Sequence, residues 1–466
     1  MNIVALAAVG YIALTLIIGV IAGRRGGGGK GVREFFIAGG NLRWPLLVPF
    51  LMAAYISSGT LVGAAEMAHG SGIQALWQPL AAPIGIALLV FGVAGFYKRI
   101  NKITLGEVFG TLFDQKTRRV FVIMLFLTTG LVSGGAVLAT AAIIEPIFNI
   151  SYYAAVWLSA AVLVGIALLG LRGIAWMNVV HLTVIAICIV TGSLVIFDTS
   201  GGLSHVFKSL PSEHLNIMRP GTPTVIAWVT GSIFYKVVAA IGVMAVFAAK
   251  DAKNIKIGGV VASAGIFIFT VLPLLIGLCA YVIFPDIPSR LALFEMADYC
   301  GPVIATLISI GILAAVISTV PGVYLSLGAL ASRDVFLAIK PDASEKAQIN
   351  FSRLFIPFIG FGGTLFALTQ PTIMDLSLRM VQVKLVLGIV FAVSVLWRRL
   401  DPLSAFWTMI LGGASGLIWW FAGLPFGIAP MYPMLAVSAI TMLITSLIRK
   451  PSHFKGSEGL DLKLET

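Results

Sequence analysis

The chain has 466 residues, 59% hydrophobic and only 11% charged, with mean hydropathy +1.02; a soluble domain carries about 25% charged residues. A water-soluble core cannot hide that much apolar surface, so the length does not stand for about three soluble domains of ~150 residues; the bilayer is the solvent. The net charge of +12 falls in small clusters between apolar runs rather than in a basic domain, which excludes nucleic acid and fits loops retained on the cytoplasmic side.

Apolar runs of about 20 residues, each matching the ~30 Å hydrocarbon core, predict thirteen spans in an all-α polytopic membrane protein. They lie at about 3–23, 44–65, 75–97, 120–145, 152–171, 174–197, 222–248, 257–284, 300–331, 351–369, 378–397, 403–422 and 428–448. The first has no basic leader or A-x-A cleavage site and ends at Arg24 and Arg25, so it reads as a permanent span rather than a signal peptide. With the N-terminus outside and the C-terminus inside, the inner segments gather 25 of the 31 basic residues. The outer ones receive only Lys208, Arg219, Arg290 and Arg379, the asymmetry expected of a plasma-membrane protein so oriented. Cys188, Cys279 and Cys300 show no metal or disulfide spacing and read as packing residues.

Span two is interrupted at Ala53-Ala54-Tyr55-Ile56-Ser57-Ser58-Gly59-Thr60. Its row of small and hydroxylated residues lowers helix propensity and offers oxygens at mid-depth. Span seven carries a second such stretch, Trp228-Val229-Thr230-Gly231-Ser232-Ile233-Phe234-Tyr235-Lys236. Each alone is equally a close-packing seam. An odd separation of five spans makes the two run in opposite senses, however, as a five-plus-five inverted repeat with broken lead helices requires, and that is the architecture of secondary transporters with alternating access. In span nine, Ser318 and Thr319 precede Pro321. They either supply hard oxygen ligands for an alkali cation or back-bond within their own helix.

Lys236 and Lys384 are the two basic residues inside spans, and no Asp or Glu occurs at mid-depth in any span. A lone ammonium there costs at least ~2.5–3.5 kcal/mol. Lys236, beside Tyr235 on the interrupted helix, therefore either meets an anion brought by a solute, snorkels to water, or loses its proton. Tyr55, Ser57, Ser58, Thr60, Tyr235 and Lys236 form the candidate solute-binding set. The missing acids also leave no carboxylate pair for an intramembrane enzyme, so no catalytic residue is assigned.

The chain resembles the sodium:solute symporter family over nearly its whole length. The resemblance rests on Glu34-Phe35-Phe36-Ile37-Ala38-Gly39-Gly40-Asn41-Leu42, Ala54-Tyr55-Ile56-Ser57, Ile103-Thr104-Leu105-Gly106-Glu107-Val108-Phe109 and Ala331-Ser332-Arg333-Asp334-Val335-Phe336. It implies a LeuT-type fold: a first helix and basic loop over 1–43, repeats over 44–197 and 222–397, two C-terminal helices over 403–448 and a cytoplasmic tail over 449–466. It also implies a sodium ion held by the backbone carbonyls of Ala53, Ile56 and Ala315 and the hydroxyls of Ser318 and Thr319, as coupling ion and without an organic cofactor. The Ala54–Ser57 stretch looks like the pantothenate and monocarboxylate branches. Two departures stand out: Asn178, with His181 after it, where many members carry an acid in a second-site region, and Met244-Ala245 where a Gln-Arg pair is common. The expected function is sodium-coupled symport of a small polar or anionic solute, a carboxylate among the candidates, by a chain that can act as a monomer. A proton-coupled transporter or exchanger using Lys236, or a transport-inactive membrane sensor, are the alternatives.

Overall fold

The computed structural model describes residues 3–25, 31–369, 373–396 and 400–448. The expected inner-face residues Lys30, Arg398 and Arg399 and the expected tail lie outside the described residues, as do the side chains of Arg24, Arg25, Ser58 and Arg379. Apart from one isolated bridge between Leu42 and Ala249, the regular structure described is helical.

The principal helices are α1 (Ile3–Arg25), α2 (Trp44–Ala53), α3 (Ser58–Ser71), α4 (Trp77–Ala87), α5 (Ala94–Ile100), α6 (Leu105–Leu112), α7 (Gln115–Phe148), α8 (Tyr152–Ala167) and α9 (Gly170–Thr199). They continue as α10 (Thr222–Val237), α11 (Ala240–Ala248), α12 (Ala252–Ile283), α13 (Pro302–Leu330), α14 (Glu345–Leu368), α15 (Ile373–Leu396), α16 (Pro402–Phe421) and α17 (Met431–Ile448). A helix, or a pair joined end to end, stands at each expected position. By length and composition, eight helices among the described residues are long and apolar enough to cross a membrane, nine if the bent α10–α11 pair counts as one. Thirteen crossings stays an expectation, because four of the expected spans are short apolar helices by the same measure: α2, α8 and the parts Val9–Gly23 of α1 and Lys384–Val395 of α15.

The first interruption falls where the sequence places it; the second does not, because Thr230, Gly231 and Ser232 stay inside an unbroken α10 and the chain bends only beyond Lys236. Between α2 and α3 the chain leaves the helix over 54–57, and α10 and α11 meet at a 41° bend across Val238 and Ala239. A break frees backbone carbonyls that cannot stay unpaired away from water. Both breaks are closed by hydroxyls. Thr60 donates to the Tyr55 carbonyl at 2.8 Å and Thr319 of α13 to the Ile56 carbonyl at 3.0 Å, while the buried phenol of Tyr97 donates to the Val237 carbonyl at 2.9 Å.

Bonds between loops sort the connections into two ends. At one end the Leu42 N–H donates to Ala248 O at 2.9 Å and the Lys250 N–H to Leu42 O at 2.8 Å; Arg172 pairs with Glu34 at 2.8 Å and Arg33 donates to Asn101 at 2.9 Å. At the other end the Ile73 N–H donates to His214 O at 2.8 Å and the Trp77 indole to Ile217 O at 2.9 Å. There too His69 meets Ser289 and the Phe284 carbonyl, each at 3.0 Å. The first end holds the basic segments. The Asp251 carboxylate, which caps α12 there, is held below the usual carboxylate range by the backbone N–H and side chain of Asn254.

Candidate solute and cation site

α3 packs against α12 and α9 along α13, which brings the first break against the middle of α13. Of the expected sodium ligands, Thr319 and Ile56 meet there across the break, while the contacts of Ser318 and Thr319 with Ala315 are back-bonds within α13. The Thr319 hydroxyl lies 3.0 Å from Ile56 O and 2.9 Å from Ala315 O, and Ser318 donates to Ala315 O at 2.8 Å. Ala53, Ile56 and Ser318 line one narrow space that α9 closes with Asn178. Both hydroxyls donate to carbonyls in this arrangement, so each has its lone pairs free for a cation. Carbonyl and hydroxyl oxygens are the hard ligands an alkali ion takes.

Asn178 and His181 separate. Asn178 is 1% exposed, faces the cation residues, and its amide nitrogen has no hydrogen-bond partner. His181 turns to α1, where its Nδ1 bonds the Tyr11 phenol.

The solute candidates also divide. Lys236, 7% exposed, sets its ammonium over the Tyr55 ring, 4.4 Å from the centroid, and 5.5 Å from that of Tyr235. Its stem passes Gly85 of α4, where an added Cβ would lie 3.1 Å from the lysine Cγ and Cδ; the missing side chain lets the ammonium through to the break. The Tyr55 hydroxyl is buried without a hydrogen-bond partner. By contrast, Ser57 and Thr60 approach each other at 3.3 Å and Thr60 spends its proton on Tyr55 O, so these two serve the break itself. The side chain of Ser58 lies outside the described residues.

Two features escaped the sequence reading. Lys384 of α15, 5% exposed, lies 5.1 Å from the Tyr235 centroid and so belongs to the same cluster as Lys236. At the basic end, two of the stretches that carry the family resemblance interlock. Asp334 pairs with Arg118 at 2.6 Å and accepts from Thr104 at 2.7 Å, and Arg333 pairs with Glu107 at 2.6 Å and donates to Gln348 at 3.0 Å. Opposite charges on the two stretches were the available signal.

The model of the sodium:solute symporter family matches residues 35–412. The chain belongs to this family. It is 24% identical to the osmoregulated proline transporter OpuE of Bacillus subtilis (strain 168), over 85% of this chain and 86% of that one. It is 22% identical to the sodium/pantothenate symporter of Escherichia coli (strain K12), over 94% of both. Its fold matches that of a Na+-coupled sialic acid symporter solved in a substrate-bound outward-open state, with TM-score 0.82 over 97% of this chain and 98% of that one at 18% identity. The chain is thus a multi-pass membrane protein of LeuT-like fold, a sodium-coupled symporter of a small solute and not an enzyme.

Proposed function

We propose that this symporter carries a small carboxylate with sodium into the cell, with Ala53, Ile56, Ala315, Ser318 and Thr319 holding the ion and Tyr55, Tyr235 and Lys236 the solute. The observation that carries the reading is the isolation of Lys236. It is buried, it lies over an aromatic ring, and among the described residues no carboxylate stands within ion-pair distance of it. Contact with a ring face offsets only about 0.5–2 kcal/mol for a cation, against ~2.5–3.5 kcal/mol or more for an ammonium at mid-depth. A solute carboxylate makes up the difference with a charge-assisted hydrogen bond, and the unpartnered Tyr55 hydroxyl supplies a second donor beside it.

The adjoining sites give the coupling a physical basis. Tyr55 and Ile56 are neighbours in the first break, one facing the lysine and the other bonded to Thr319. An ion that fixes Ile56 therefore orders the backbone that positions the Tyr55 ring. Asn178, neutral where an acid is common, supports coupling to few cations. The gathering of basic residues at one end supports a cytoplasmic C-terminus and an outer N-terminus.

The test is the Lys236→Met variant, assayed with carboxylates and with their neutral amides. Selective loss of the carboxylates is expected; equal loss of both would assign the lysine a structural role.

A further inference from the structure

The proposed solute site leaves one charge without a task. Lys384 reaches Tyr235 from α15, while Lys236 reaches the same ring from α10. The approach of the two helices is built into the backbone: Gly388, one turn beyond Lys384, lies against the Phe234 carbonyl, where any side chain would collide. That contact fixes Lys384 beside Tyr235 rather than leaving it free to reach a helix end.

Both ammonium groups are buried, and among the described residues neither lies within ion-pair distance of a carboxylate. One monocarboxylate could neutralise only one of them. With a sodium ion bound close by, the second would stay uncompensated in a medium of low dielectric.

Resting on the reading of Lys236 as the carboxylate contact, we infer that the solute carries two anionic groups: a short dicarboxylate that bridges Lys236 and Lys384 across the Tyr235 ring, with the Tyr55 hydroxyl donating to the carboxylate at Lys236. Two lysines on different helices discriminate by charge number as well as charge sign. An acid with one carboxylate leaves Lys384 unpaired, and a neutral solute leaves both so. The arrangement also ties α15 to the broken helix α10 through the solute itself, so that a dianion holds the two helices together as a monoanion cannot.

The experiment uses the full-length purified protein in sodium. Thermal stabilisation is titrated with dicarboxylates of four to six carbons, with their monoamides, which keep the shape and lose one charge, and with their diamides. The expected order is dicarboxylate at least tenfold tighter than monoamide, with the diamide weakest, and Lys384→Met should bring dicarboxylate and monoamide to the same affinity. If monoamide and dicarboxylate bind alike while the diamide fails, the second-anion assignment is overturned and the Lys236 reading stands. If all three behave alike, or none binds, both are overturned. Lys384→Arg keeps the charge and should retain the preference for two carboxylates; if Lys384→Met does not fold, loss of that preference in Lys384→Arg with unchanged stability would count against the bridge, and the wild-type series decides in either case.

Discussion

The Thr319 hydroxyl of α13 donates to the Ile56 carbonyl at the first helix break, 3.0 Å away and 263 positions distant in sequence. That one bond joins the two halves of the proposed sodium site. Replacing Ser318 and Thr319 together by alanine removes both hydroxyls and leaves the helix. The sodium concentration for half-maximal uptake should rise about tenfold or more, equivalent to about 1.4 kcal/mol, with membrane insertion unchanged. Unaltered sodium dependence would remove the site from this position.

Tyr55→Phe keeps the ring beneath Lys236 and deletes an unpartnered hydroxyl. A hydrogen bond to a charged group contributes about 1.5–3 kcal/mol, so solute affinity should fall roughly tenfold or more. Stability without solute should hold or rise, since a buried hydroxyl without a partner costs about 1–3 kcal/mol. Calorimetric binding and thermal midpoints read both, and unchanged affinity would take the phenol out of the solute site.

The basic-end cluster predicts a graded response. The Asp334 carboxylate is fully buried between Arg118 and Thr104; Asp334→Ala leaves the half-buried Arg118 guanidinium partly uncompensated and strips Thr104 of its acceptor, a loss of about 2–3 kcal/mol, below that for a fully buried pair. Glu213→Ala breaks an exposed 3.6 Å pair with Arg219 and should cost about 0–1 kcal/mol. Thermal midpoints in detergent should therefore separate the two variants clearly; equal midpoints would show that the cluster is not structural.

Tyr97→Phe strips the Val237 carbonyl of its donor at the second break. The expected loss is about 1–3 kcal/mol, with faster amide exchange at Ala240 and Ile241 while the rest of the protein is unaffected. Uniform exchange would mean that the break is closed by other contacts.

The second break lies beyond its Thr-Gly-Ser run, which stays helical, but the first was legible because a run of Ser, Gly and Thr announces it locally, and the Ser318–Thr319 pair was legible as a chemical type. What closes the breaks was not. Tyr97 and Val237 stand 140 positions apart, and only packing decides which hydroxyl meets which carbonyl. The resemblance placed Asn178 and His181 together as one region, but on α9 the first faces α13 and the second faces α1: three residues of helix turn adjacent side chains toward different neighbours once both faces are covered. Lys384 was visible as a charge inside a span; its tie to Lys236 depends on Gly388 admitting the Phe234 carbonyl, a contact that no periodicity encodes.

The most direct test of the account is binding of short carboxylates to the purified protein in sodium and in choline, with wild type and Lys236→Met side by side. Carboxylates should stabilise the wild type in sodium, do so little in choline, and leave the variant unchanged under either condition. Stabilisation that ignores sodium but follows pH, or that persists in Lys236→Met, would contradict the account.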